Sequence, residues 1–311
     1  VQNTLKSAVS FVGVGLHSGR PVRMTVRPAS ADYGIWFRRT DVAGPVDPMI
    51  PAIWHAVTPS RLCTVVENAA GVSVSTIEHL MAALAGCAIH NALIEIDGAE
   101  VPILDGSAEP FVASFIARGI REQAADVRAI RVLKAVEIRE GEAIARLEPS
   151  EMLEIDFRIE FDDAAIGTQE RHLNMSNGAF VRELSDCRTF CRQSDVDAMH
   201  EKGLALGGTL DNAVVFDGDR VVSPGGLRRA DEPVRHKMLD ALGDLALAGG
   251  PLLGRYSGIR AGHAMTNRLL RALFADPTAF RIEGCGARVG EKLPGVGVHR
   301  GDLPSARRRA A

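Results

Sequence analysis

Apolar residues along the first part of the chain recur with a period of two. Val22, Met24 and Val26 alternate with polar neighbours, as in a strand with one buried face, and residues 11–16 before them form an apolar, glycine-spaced run. Residues 35–37 and 64–66 predict further strands, and residues 68–71 predict a hairpin turn ahead of Val72 and Val74. The period then changes. Residues 76–85 predict a helix, with Ser75 as its cap, Glu78 three residues later and Gly86 as its stop. A strand over 91–97 follows, then a helix that starts at a Ser107 cap and ends at Gly119. The polar stretch 121–126 is the natural boundary.

Beyond it, residues 130–138, 143–147 and 153–161 predict three strands, with turns at Glu140-Gly141 and Pro149-Ser150. Helical patterns cover 179–184 and 195–202, and a hairpin joins 212–216 to 220–222 through Asp217-Gly218. A long amphipathic helix over 231–250, a strand over 253–259 and a helix over 264–274 complete the periodic part. This order approximates that of the first half with insertions. The prediction is an α+β fold of two domains of related topology, 1–125 and 126–275, each a small, mostly antiparallel sheet layered with helices. Over 276–311 periodicity fades while Gly, Pro and Arg accumulate, which predicts a loosely held, partly disordered extension.

The 311 residues have room for two such units, and 46% hydrophobic with 24% charged residues describes a globular chain rather than a disordered or membrane-spanning one. A net charge of −3 gives no reason to expect nucleic acid as a partner, and the basic run Arg307-Arg308-Arg309 reads as a solvated tail. Five scattered cysteines (Cys63, Cys87, Cys187, Cys191 and Cys285) and an N-terminal stretch without a signal-like apolar core point to a reducing cytoplasm. Cys187 and Cys191 lack the second pair that a thiolate zinc site requires, and read as ordinary thiols.

The helix over 231–250 carries the candidate chemistry. His236, Asp240 and Asp244 fall at i, i+4 and i+8 on one face, while Met238, Leu242, Leu245 and Ala246 form an apolar strip that would hold that face in a fixed direction. An imidazole and a carboxylate at that spacing can share a cation, and they also suit a merely solvated face. A zinc hydrolase needs three protein ligands, an open position for water and a carboxylate base beside them. Glu78-His79 would complete such a set, with His79 as ligand and Glu78 as base. The spacing from Ser75 to Glu78 equally suits a capping box, and the H-E-x-x-H pattern is absent. His263, at a strand-to-helix junction, reads as a cap or a surface residue unless Asp244 orients it as a charged imidazole.

Five motifs in order, S-T-I-E-H-L-x-A-A-L-A-G, D-G-S-A-x-P-F, S-x-x-R-T-F, R-H-K-M-L-D-A-L-G-D and G-H-A-x-x-N, resemble the zinc-dependent UDP-3-O-acyl-N-acetylglucosamine deacetylases of lipid A biosynthesis, and the resemblance runs over residues 4–274. The resemblance implies two α+β domains with the active site between them. It implies one zinc ion per chain on His79, His236 and Asp240, with Glu78 as general base. His263, oriented by Asp244, would be the acid or an electrostatic stabiliser, Thr189 would help stabilise the oxyanion, and Lys237 and Phe190 would contact substrate. The implied reaction hydrolyses the N-acetyl group of an acylated UDP-sugar, releasing acetate and UDP-3-O-acyl-glucosamine.

A substrate of that kind needs matching surfaces. Lys237, Arg260 and His17 are candidates for a basic rim at the diphosphate, and Phe161 for stacking on uracil, although Phe161 equally suits the core of its strand. Leu16, Val196 and Leu210 are candidates for an acyl channel. The turn Glu140-Gly141-Glu142-Ala143 lacks a lysine near the diphosphate, and Cys191-Arg192-Gln193 is more polar than an acyl passage after R-T-F would suggest. The chain is expected to act as a monomer with brief contact with the inner membrane surface. The competing reading is a non-catalytic carrier whose zinc ties two halves together; such a site is normally closed by four protein ligands. A zinc peptidase shares the water chemistry but has no motif here, and iron is a second metal for His and carboxylate ligands.

Overall fold

A computed structural model describes residues 1–304. The period-two segments form a five-stranded sheet from β1 (Val9–Val14), β2 (Pro21–Pro28), β3 (Ile35–Arg39), β4 (Met49–Pro51) and β5 (Ala92–Ile96) in the order β1-β2-β5-β3-β4. Val22, Met24 and Val26 turn inward, as their alternation requires. Helix α1 (Glu78–Gly86) leads into β5, and α2 (Glu109–Arg118) leaves it.

The same plan recurs. Strands β6 (Val136–Glu140), β7 (Ala143–Glu148), β8 (Leu153–Glu160), β9 (Thr168–Asn174) and β10 (Leu252–Ile259) follow the path β6-β7-β10-β8-β9. Helix α3 (Glu232–Ala246) leads into β10 and α4 (His263–Ala275) leaves it. In each path the central strand pairs in parallel with the third strand of its unit (β5 with β3, β10 with β8), and the other pairs are antiparallel. The fold is therefore α+β, with two units of one topology, as the order of predicted elements implied.

Several elements depart from expectation. Residues 130–138 are not one strand. Arg128–Val132 runs parallel to β10, the chain breaks at exposed Leu133, and β6 pairs with β7. Strand β9 carries polar residues at nearly every position and lies at the sheet edge, where only Leu173 packs against the core, so it has no apolar alternation to read. The chain past 276 is not loosely held throughout: Phe280–Gly284 pairs with Arg128–Val132, Leu293 and Leu303 are buried, and Asp302 meets Arg182 at 3.3 Å. Residues 305–311, including the basic run, lie outside the described residues. No helix among the described residues is long and apolar enough to cross a membrane.

The two units meet through their leading helices. Helix α1 buries Leu80, Met81, Ala82, Ala83 and Leu84, hence is enclosed on all sides, and α3 buries Met238, Leu239, Leu242 and Leu245. At roughly 1.5–3 kcal/mol for each large side chain fully buried, this contact strongly opposes separation of the helices. It also fixes what their polar residues face.

Candidate active site

Where α1 crosses α3, His79 from the first and His236 and Asp240 from the second converge. Asp240 Oδ1 lies 3.3 Å from His236 Nε2 and 3.6 Å from His79 Nε2, and the two imidazoles stand at 85° with centroids 4.9 Å apart. All three residues are buried, with candidate ligand atoms within 4.8 Å of one another. Tetrahedral zinc with bonds of ~2.0–2.2 Å separates its ligand atoms by about 3.3–3.6 Å, so the spacing fits. His236 Nδ1 lies 3.0 Å from the Cys187 carbonyl oxygen. A carbonyl can only accept, so Nδ1 carries the hydrogen and Nε2 presents a lone pair to the cluster. Burial lowers the His236 pKa to about 4 against the pull of Asp240, which keeps the ring neutral. Burial also opposes the Asp240 charge, but the Lys237 ammonium, a hydrogen bond from His79 and the His263 imidazolium outweigh it and hold that carboxyl well below the usual range.

Asp240 Oδ2 accepts from Lys237 Nζ at 2.9 Å, whereas Oδ1 is buried without a hydrogen-bond partner among the described residues. A charged oxygen left bare inside a protein is costly unless a cation meets it. The donor set therefore fits a metal ion of the zinc type.

Beside these three candidate ligands stands a second cluster. Glu78 opens α1, and its Oε2 accepts from the Thr64 N–H at 3.0 Å. Ser75 Oγ bonds to the Ala99 carbonyl, no side chain caps α1, and the capping-box reading fails because Glu78 points into the site. Burial raises the Glu78 pKa, with His263 and His79 opposing it. His263 opens α4, and its Nδ1 lies 2.8 Å from Asp244 Oδ2. Its Nε2 then faces Glu78 Oε1 at 3.8 Å and Asp240 Oδ2 at 3.9 Å. Burial disfavours the imidazolium, yet the Asp244, Glu78 and Asp240 carboxylates prevail and push the pKa up to about 9. Asp244 is itself fixed by the Thr64 hydroxyl at 2.5 Å.

The other predicted residues are placed unevenly. Thr189 is half-buried two residues past Cys187, where its N–H donates to the Gly106 carbonyl and its carbonyl accepts from Val214. Phe190 meets the His236 ring edge-on at 6.4 Å and Phe161 at 5.6 Å, while Phe161 also packs against the core, so it reaches this site through Phe190. The expected basic rim is not free. Lys237 bonds to Asp240, Arg260 pairs with Glu142 and lies 3.8 Å from Glu160, and burial lowers the His17 pKa despite Glu100. Both ring nitrogens of His17 lack a hydrogen-bond partner among the described residues. Leu16 joins the 205–208 segment of the other unit, its carbonyl accepting from the Gly207 N–H at 3.0 Å. Nearby in sequence, Leu206 and Leu210 are 57% and 41% exposed, while Val196 is half-buried on a short helix with no buried face (Gln193–Glu201).

Sequence reasoning missed Thr64, read only as part of a strand, although it holds both Glu78 and Asp244. It also missed the Cys187 carbonyl, which acts through its backbone and so leaves no side-chain signal. The buried Arg188–Glu232 pair, at 2.9 Å, was missed as well; it ties the 187–189 segment to the start of α3.

The profile of a family described as UDP-3-O-acyl N-acetylglycosamine deacetylase matches residues 2–275. Among similar proteins, the UDP-3-O-acyl-N-acetylglucosamine deacetylase of Phenylobacterium zucineum (strain HLK1) is 52% identical over 281 residues, covering 90% of this chain and 96% of that protein. The protein of the same name from Stenotrophomonas maltophilia (strain K279a) is 48% identical, and that from Xanthomonas axonopodis pv. citri (strain 306) is 46% identical; each alignment covers 90% of this chain and 92% of the relative. With a match that spans both units and includes every residue of the two clusters, the chain belongs to the UDP-3-O-acyl N-acetylglycosamine deacetylase family.

Proposed function

We propose that this protein hydrolyses the N-acetyl group of UDP-3-O-acyl-N-acetylglucosamine, releasing acetate and the free amine, as a step of lipid A biosynthesis in the cytoplasm. The observation that carries the reading is the bare, buried Asp240 Oδ1 between two imidazoles, with Glu78 beside it rather than capping its helix. His79, His236 and Asp240 would hold one zinc ion, which supplies Lewis-acid polarisation of the acetamide carbonyl and acidifies water at the site.

The chain's own groups divide the remaining work. Glu78 has one oxygen committed to Thr64 and the other facing the cluster, and burial has raised its affinity for a proton, so Oε1 is poised to take the proton from attacking water. His263, held charged by Asp244, stabilises negative charge gathering on the carbonyl oxygen and can pass its Nε2 proton to the leaving amine. The Thr189 hydroxyl is assigned to the same oxyanion, where one donor is typically worth about 2.7–4 kcal/mol. Phe190 and Phe161 form the wall for the nucleotide-sugar, with Lys237 and Arg260 at its edge once substrate competes for their present partners. Half-buried Leu16 and exposed Leu210 would offer apolar ground for the acyl arm.

The test is acetate release from the acylated UDP-sugar, measured with zinc content. The reading expects stoichiometric acetate from zinc-loaded protein; tight binding of the substrate with no acetate would instead favour a carrier.

A further inference from the structure

We infer that Gly243 is a positioning residue, whose missing side chain lets the first turn of α1 close on α3 and so sets His79 and Glu78 against His236 and Asp240. The inference rests on the metal reading above. Gly243 lies inside α3, between Asp240 and Asp244. A glycine there is disfavoured relative to alanine, because its backbone is freer when unfolded. Its φ is not positive, so backbone conformation does not explain its presence. The space around it does. A Cβ at 243 would stand 2.0 Å from the Glu78 carbonyl oxygen, 2.8 Å from the Glu78 carbonyl carbon and 3.1 Å from the Glu78 Cα. All three atoms are backbone, so no rotamer change relieves the overlap.

Ordinary contact begins near 3.4 Å. An alanine would therefore drive the two helices apart locally by about 1.4 Å, because packed interiors have no slack at that scale. The residue driven back is the proposed base, and the next along the chain is the α1 ligand. Metal ligands tolerate displacements of only ~0.2 Å, and a misplacement of about 1 Å at reacting groups costs on the order of 100-fold in rate. Gly86, at the other end of α1, provides a control on the same helix, with a side chain rather than backbone as its close neighbour. A Cβ there would stand 2.0 Å from Phe180 Cδ1, an equally close approach on the same helix but remote from the ligands.

The experiment compares full-length wild type, Gly243→Ala and Gly86→Ala. Each is stripped with a chelator, then titrated with zinc against a colorimetric chelator, melted without metal, and assayed for acetate release at saturating zinc. Gly243→Ala is expected to bind zinc about 100-fold more weakly, and under saturation to lose kcat by a similar factor with KM within about threefold. Gly86→Ala is expected to keep zinc affinity within about threefold even where its metal-free melting temperature falls further. Unchanged zinc affinity in Gly243→Ala, or equal loss in both variants, would overturn the inference. So would a Gly243→Ala chain that cannot fold even with zinc present, since the glycine would then serve the fold and not the site. Wild type that takes up no zinc removes the underlying reading as well, which separates the two failures.

Discussion

Asp244 divides its carboxylate between the Thr64 hydroxyl and His263 Nδ1, and so decides the charge of a ring it does not share with the ligands. Its effect has a sign. His263 is raised from 6.5 to about 9, so its charge is complete below its ordinary pKa and is lost as pH rises through about 9. Asp244→Asn removes the main opposing charge, and the descending limb of the kcat/KM profile, scanned from pH ~6 to ~10, should move to lower pH. An unmoved limb would detach His263 from that limb. Glu78→Gln tests the neighbouring role. Glu78 is not among the three converging ligands, so zinc per chain should stay near that of wild type while acetate release falls by orders of magnitude. Full activity in that variant would refute the base assignment.

Helix α3 shows how much of a site an element's spacing reveals. The i, i+4, i+8 run of His236, Asp240 and Asp244 was legible because one helix face carries all three. What the run contacts was legible in part: His79 was expected beside it, whereas Thr64 arrives from a distant position and only packing brings it to Asp244. The start of the helix likewise depends on contacts that spacing does not show. Asp231 pairs with Arg235 at 2.6 Å, and Glu232 is buried against Arg188. Arg188→Met would leave the Glu232 carboxylate, 1% exposed, with only backbone donors. Removing one partner of a buried pair costs about 3–5 kcal/mol. The zinc-loaded melting temperature should fall by several degrees, and zinc affinity with it, because the 187–189 segment carries the carbonyl that orients His236. A melt within a degree of wild type would show the pair to be dispensable.

Across the whole molecule, one plan executed twice sets the leading helices of the two units face to face, and the candidate site lies where they cross. The repeat was legible as an order of elements, though not as similar residues. Strand β9 escaped notice because it shows no apolar alternation, and the strand Phe280–Gly284 because its alternation is only two apolar residues long, Phe280 and Ile282, in a Gly-, Pro- and Arg-rich stretch. Since the proposed ligands come from both units, a metal that binds only the folded chain would stabilise it by about 4 kcal/mol at a thousand times its Kd. Chelation should therefore lower the melting temperature of wild type while leaving that of His79→Ala nearly unchanged. The most direct test is an anomalous-scattering map at the zinc edge from crystals of the zinc-loaded protein. The expected result is a single peak ~2.0–2.2 Å from His79 Nε2, His236 Nε2 and Asp240 Oδ1, with one coordination position free of protein. A fourth side chain bonded to that peak, or no peak among those three atoms, would contradict an open hydrolytic centre.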